Sequence, residues 1–256
     1  MPVTFGHEFC GRVAQIPKES KLKVGQAVMV DPRLYCSSCK RCQLLATNVC
    51  YSWGFRGFHG GGGGLSESVV VKESMLYVLP ESADLSVAAL IEPLAVATHA
   101  VKVCGASDFT CKSVLILGGG PIGLTLIMVL RTFGARAIYV SEPILKRRMQ
   151  NLELADAIFN PLEENVPEKC KERTGGDGVD FVFDCAGVER AMKDGFAALK
   201  YGGTYMNVAG WVQPVSTNNL LKYHIYITLH TNDTIVRNSF GACSDEGNHN
   251  QVNIVI

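Results

Sequence analysis

The segment Val114-Leu-Ile-Leu-Gly118-Gly-Gly120-Pro-Ile-Gly123 constrains this chain more than any other, because an apolar run passes straight into G-x-G-x-x-G and then into a helical pattern. A tight turn, a close approach of main chain to an anionic ligand and close helix–strand packing each require a residue without a side chain. The helix that follows presents free N–H groups and the positive end of its dipole. Glycine-rich turns also arise for packing alone. Here, however, Glu142 stands at the end of the next strand, nineteen residues after Gly123. Strand, turn, helix and acid together form the pattern of a dinucleotide site. An acid at that place accepts from the ribose hydroxyls and repels a 2′-phosphate, which favours NAD over NADP. Lys146, Arg147 and Arg148 follow, either within reach of the adenosine end or as a solvated helix face.

Around this turn the texture alternates. Strand-like runs at 114–117, 137–140, 157–159, 179–183 and 204–208 are separated by helical segments near 122–133, 145–154, 164–173 and 189–199. Such alternation predicts βαβ crossovers and a parallel sheet. Before it, short β-type runs at 11–16, 27–32, 68–71 and 76–79 lie between Gly, Pro and Ser punctuation and predict an all-β half. The five glycines at 60–64 read as a loop and nothing more. A helix over 93–103, with Pro93 at its first position, leads to a domain boundary placed in 105–112.

With 256 residues the chain has room for two modest domains. Lysine and arginine number 24 and so do the acids, so no net field draws it to nucleic acid or anionic lipid. At 47% hydrophobic and 19% charged it can bury a core. The uncharged stretch 113–130 approaches the ~20 apolar residues of a membrane helix, but glycines 118–120 and Pro121 split it into strand and helix. No secretory signal pattern opens the sequence, and the expected compartment is the reducing cytoplasm.

The second motif is Cys36-x2-Cys39-x2-Cys42-x7-Cys50. Four thiolates in so short a window can wrap one tetrahedral Zn²⁺ and leave no open position, so such a site supports a loop and does no chemistry. Disulfides are the competing reading, disfavoured by a reducing compartment, and an iron–sulfur cluster is a third. Cys10, Cys104, Cys111, Cys170, Cys185 and Cys243 read as buried structural thiols. A quieter set is His7-Glu8 near the start and Glu92 before Pro93. Proline pushes its predecessor toward an extended conformation, so Glu92 is expected to point from a helix N-terminus into a cleft or to serve only the helix dipole.

Taken in order, His7-Glu8, the four-cysteine lobe, Leu90-Ile-Glu92-Pro93-Leu94 and Gly118-Gly-Gly120-Pro-Ile-Gly123 resemble the zinc-dependent medium-chain dehydrogenase/reductases. Glu92-Pro93, Glu142 and Tyr205-Met-Asn-Val-Ala-Gly210-Trp211 resemble their sorbitol and butanediol dehydrogenase branch. The resemblance runs over roughly residues 1–229 and implies an α/β protein. A partial GroES-like β-rich catalytic domain (1–105, with the structural-zinc lobe at 36–50) precedes a Rossmann NAD-binding domain with a doubly wound parallel sheet (106–229). Residues 230–256, with Asn232, Asn238, Asn248, Asn250 and Asn253, depart from it as a polar tail.

The resemblance further implies a catalytic zinc held by His7, Glu8 and a cysteine, with Glu92 contacting the zinc, its water or the substrate. It implies a cofactor held by Gly118, Gly120, Ile122, Gly123, Glu142, Arg147, Val208, Ala209 and Gly210. The implied reaction is hydride transfer from a secondary alcohol or vicinal diol to NAD, with a small alcohol or polyol as the partner and homo-oligomers allowed. In the family the cysteine ligand lies upstream of Gly-His-Glu, on a segment absent before Met1 along with strands that pack against Val28, Val30 and residues 69–71. That departure sets a second expectation beside the enzyme: an impaired remnant that binds NAD and structural zinc with little or no turnover.

Overall fold

The computed structural model of the protein describes residues 3–211 and 251–255. The polar tail expected from residue 230 lies outside the described residues except for its last strand, as does Cys243. Two compact units form, dividing between Pro93 and Leu94, with the 251–255 strand in the first.

In the first unit β1 (Cys10–Gln15), β2 (Ala27–Val30), β5 (Ser68–Lys72), β6 (Leu76–Val78) and β12 (Gln251–Val255) make an antiparallel sheet in the order β5-β12-β1-β2-β6. Between β2 and β5 come the two-residue strands β3 (Arg33–Leu34) and β4 (Gly54–Phe55), which pair with each other and frame helix α1 (Lys40–Gln43). Alternation along β5 and β1 turns Val13, Val69 and Val71 inward with Val28 and Val30. Val252 and Ile254 complete that core. One strand, β12, therefore stands beside these valines, where the resemblance implied that several upstream strands would be absent. Its polar composition hid a period-two apolar pair, and pairing to both β1 and β5 satisfies the main chain on either side.

Helix α2 (Leu85–Ala88) is capped by the Asp84 carboxylate, which accepts from the Ser86 amide at 2.9 Å. Helix α3 (Ile91–Val103) starts two residues earlier than Pro93 predicts, so Glu92 is helical rather than extended. The first turn of a helix has no internal use for its N–H groups, and a proline is tolerated there at no cost in hydrogen bonds. The later residues of α3, Ala97 to Cys104, belong to the second unit's core, upstream of the expected 105–112 boundary.

The second unit is a parallel sheet, β7 (Ser113–Leu117), β8 (Ala137–Ser141), β9 (Ala157–Phe159), β10 (Val179–Asp184) and β11 (Leu199–Asn207), in the order β11-β10-β7-β8-β9. Its crossovers are α4 (Pro121–Thr132), α5 (Leu145–Asn151), α6 (Val166–Arg173) and α7 (Glu189–Ala198). Strands buried on both faces explain the unbroken apolar run of β7, whose Val114, Leu115, Ile116 and Leu117 have no exposed surface. Among the described residues no helix is long and apolar enough to cross a membrane. Two thiols depart from the buried reading: Cys111 is exposed, in the loop before β7, and Cys185 is half-buried.

Candidate metal and dinucleotide sites

The stretch that precedes β1 carries His7 and Glu8, and the first turn of α3 carries Glu92. One ligand atom from each lies within 4.8 Å of the others. His7 packs edge-on against Phe55 (5.1 Å between ring centroids) and at a tilt against Phe58 (4.8 Å), with its Nε2 at 3.9 Å from a Glu8 oxygen. Burial holds the His7 pKa below its ordinary value despite the Glu8 charge, which leaves a neutral imidazole with a free lone pair. Burial first, then the charges of Glu8 and Asp31, push the Glu92 carboxyl up to about 7. Two carboxylates held this close repel each other, and a divalent cation between them relieves that repulsion. A nitrogen with two carboxylate oxygens is a fitting donor set for zinc.

What fixes His7 is the glycine run that reads in sequence as a mere loop. The amides of Gly64 and Leu65 donate to the carbonyls of Gly6 and Phe5, both at 2.9 Å. A Cβ on Gly63 would stand 2.3 Å from the Phe5 oxygen, and one on Gly57 2.4 Å from the Gly6 oxygen. Only bare backbone lets these segments touch. Arg56 gathers the turn from beneath, its guanidinium donating to the carbonyls of Gly61, Gly62 (2.8 Å) and Val70 (2.9 Å). Sequence reasoning missed Arg56, Phe55 and Phe58; the density of glycine on both sides of Arg56 was the available signal.

The four cysteines converge. The sulfurs of Cys36–Cys50, Cys39–Cys42, Cys39–Cys50 and Cys36–Cys42 are 3.5 to 4.0 Å apart. These separations exceed a disulfide bond and suit four ligands around one ion. Amides of Cys36 and Ser52 point at the Cys50 sulfur, and that of Cys39 at Cys36. Such donors favour thiolates, and backbone N–H groups of Ser38 and Cys39 draw the Cys36 pKa down to about 6, while burial pushes Cys42 up to about 12. Ser37 (φ 60°) and Leu45 (φ 61°) take left-handed conformations where the lobe turns back on itself.

In the second unit the glycines perform the separate tasks their spacing implies. Gly118 (φ +93°) makes the turn, and a Cβ on Gly123 would collide with the Gly118 oxygen at 2.1 Å. Gly120 caps α4, with Pro121 at its first position, and Ile122 packs on the core below. Glu142 follows β8 with 1% of its surface exposed, and it is engaged by the protein itself. Its Oε2 accepts from the Gly119 amide and its Oε1 from the Ile144 amide, both at 2.8 Å, with Arg147 Nη1 at 3.9 Å. Asn151, which sequence reading passed over, donates to the Gly119 carbonyl at 3.0 Å and holds the turn from the other side. Arg148 donates to the carbonyls of Glu142 and Pro143, a structural use that neither sequence reading foresaw. Val208 and Ala209 follow β11, and both of their amides donate to the Asp184 carbonyl, at 2.9 and 2.8 Å.

Comparison with known proteins finds the family model described as alcohol dehydrogenase GroES-like domain over residues 1–81 and that described as zinc-binding dehydrogenase over residues 121–247. The (R,R)-butanediol dehydrogenase of Saccharomyces cerevisiae is 36% identical over 82% of this chain and 59% of its own length. The chain thus spans about three fifths of that curated relative. A zinc-binding dehydrogenase from Sinorhizobium meliloti, solved with NADP bound, superposes with a TM-score of 0.79 at 30% identity over 88% of this chain and 68% of that one. The 2R,3R-butanediol dehydrogenase of Bacillus subtilis gives 0.75 at 33% identity, over 91% and 62%.

Proposed function

The chain belongs to the zinc-binding dehydrogenase family, and from that membership we propose that it acts in hydride transfer between a secondary alcohol or vicinal diol and NAD. The observation that carries the reading is the convergence of His7, Glu8 and Glu92 within 4.8 Å, in a chain that also presents the glycine turn and its acid. When bound, zinc supplies a Lewis acid that eases loss of the alcohol proton, and the nicotinamide supplies the hydride acceptor. His7 and Glu8 would hold that zinc. Glu92 would bind it or its water, and Phe55 and Phe58 keep the imidazole oriented and exclude solvent from its flank. Cys36, Cys39, Cys42 and Cys50 would hold a second, closed zinc that fixes their lobe.

The cofactor would lie with its pyrophosphate on Gly118, Gly119 and Gly120 at the start of α4 and its adenosine ribose toward Glu142, flanked by Arg147. The carboxylate at that place supports NAD. Val208, Ala209 and Gly210 would meet its other end. Free thiols, four of them clustered, suit the cytoplasm, and the partner is a small alcohol or polyol.

Zinc analysis and steady-state assays with (R,R)-2,3-butanediol and sorbitol test the reading together. The parent protein should form NADH in a chelator-sensitive way, with a loss of more than about 100-fold in His7→Ala. Cys39→Ser should lose a zinc that His7→Ala retains. NADH formation indifferent to both chelator and His7→Ala would refute it.

A further inference from the structure

Asp184, the last residue of β10, has no exposed surface, yet both of its carboxylate oxygens are engaged. Oδ1 accepts from the amides of Ala186 (2.8 Å) and Gly187 (3.0 Å), and Oδ2 from the Tyr205 hydroxyl at 2.6 Å. Tyr205 cannot swing away, because its ring stacks on Phe196 at 4.2 Å and 16°. Through its carbonyl the same Asp184 holds Val208 and Ala209. The loops after β10 and β11 meet at one point, where Gly187 (φ +62°) leaves no room for a Cβ beside the Gly210 oxygen. The Cys185 amide donates to Leu117 at 2.9 Å, which joins this assembly to the end of β7 and the glycine turn.

Burying a carboxylate is expensive, and an apolar residue would pack there at less cost. Its acceptors are what it contributes: one side chain and its carbonyl set both loops. The place of those loops follows from topology. In a doubly wound sheet a dinucleotide straddles the carboxyl ends of the strands where their order reverses, one mononucleotide to each half. Here β7, β8 and β9 form the half with the glycine turn and Glu142, and β10 and β11 form the other.

We propose that the buried Asp184–Tyr205 pair is the positioning device for the nicotinamide half of the dinucleotide site, acting through the amides and loops it holds rather than by touching the reacting atoms. The inference rests on the dinucleotide reading given above and deepens it.

Calorimetry with NAD and with AMP separates the two. AMP occupies only the adenosine half, so Tyr205→Phe, which keeps the ring stack and removes one hydrogen bond to a charged acceptor, should leave AMP affinity within about twofold and weaken NAD about tenfold or more. Asp184→Asn should do the same more strongly. Amide exchange at Ala186 and Gly187 should quicken in both variants while that at Gly119 stays as in the parent, a pattern that general loss of stability would not give. Parallel losses of NAD and AMP affinity, or an NAD affinity that Tyr205→Phe does not change, would overturn the proposal. A parent chain that bound neither ligand would overturn the dinucleotide reading itself, and this inference with it.

Discussion

Glu142 and Glu92 were both legible as chemically interesting acids, and both sit otherwise than local rules suggest. For Glu92 the expected extended conformation gives way to a helical one, because α3 already begins at Ile91 and its first turn, which spends no N–H on itself, admits Pro93. For Glu142 the position in sequence supports the ribose-facing role proposed above, while its grip on the Gly119 and Ile144 amides depends on a turn that only folding brings to it. That double duty makes a prediction. Glu142→Ala should narrow the preference for NAD over NADP, and it should also destabilise the second unit, because the buried Gly119 amide loses its acceptor at roughly 1–3 kcal/mol and the partly buried Ile144 amide loses one too. Urea unfolding beside NAD and NADP titrations checks both. A variant as stable as the parent would show that those two bonds are replaced by water.

Among the elements, β7 to β11 were readable because each carries a buried apolar run at βαβ spacing, and the structure keeps them within a residue or two except at the start of β11, which begins at Leu199. The first unit was less readable. Its strands β3 and β4 are two residues long, too short for a period, and β12 pairs across more than 170 positions of sequence with β5. The glycine run shows the limit most plainly: its composition says turn, but its purpose lies in what it touches. A Cβ on Gly63 would meet main-chain atoms of Phe5 and Gly6, which cannot rotate away as a side chain can. Gly63→Ala should therefore shift the segment before β1, cost about 1–3 kcal/mol as an overpacked core does, and lower zinc retention at His7 while the cysteine-held zinc stays. Metal analysis after dialysis against a mild chelator reads this directly; full retention of both ions would separate the glycine run from the metal site.

At the scale of the whole molecule, the chain contains two tryptophans and the fold places one in each unit. Trp53 donates its amide to the Cys50 carbonyl at 3.2 Å and packs against Phe55 and His59, beside the four-cysteine lobe. Trp211 donates its indole N–H to Asn207 at 2.9 Å, at the end of β11. Each unit has its own buried core, the valine cluster of the antiparallel sheet in one and the two faces of the parallel sheet in the other. Metal bound only in the folded state stabilises the unit that holds it, and a closed four-thiolate zinc contributes strongly because no preformed site survives unfolding. Stripping zinc should therefore lower the thermal midpoint reported by Trp53 in a Trp211→Phe background by several degrees, on the order of 5 °C or more. The midpoint reported by Trp211 in a Trp53→Phe background should move by less than about 2 °C. Cys39→Ser should reproduce the first shift without chelator, which assigns it to the cysteine lobe rather than to His7. If both reporters moved together, the two units would share one cooperative transition; if neither moved, the four sulfurs would hold no structural ion, however well their spacing suits one.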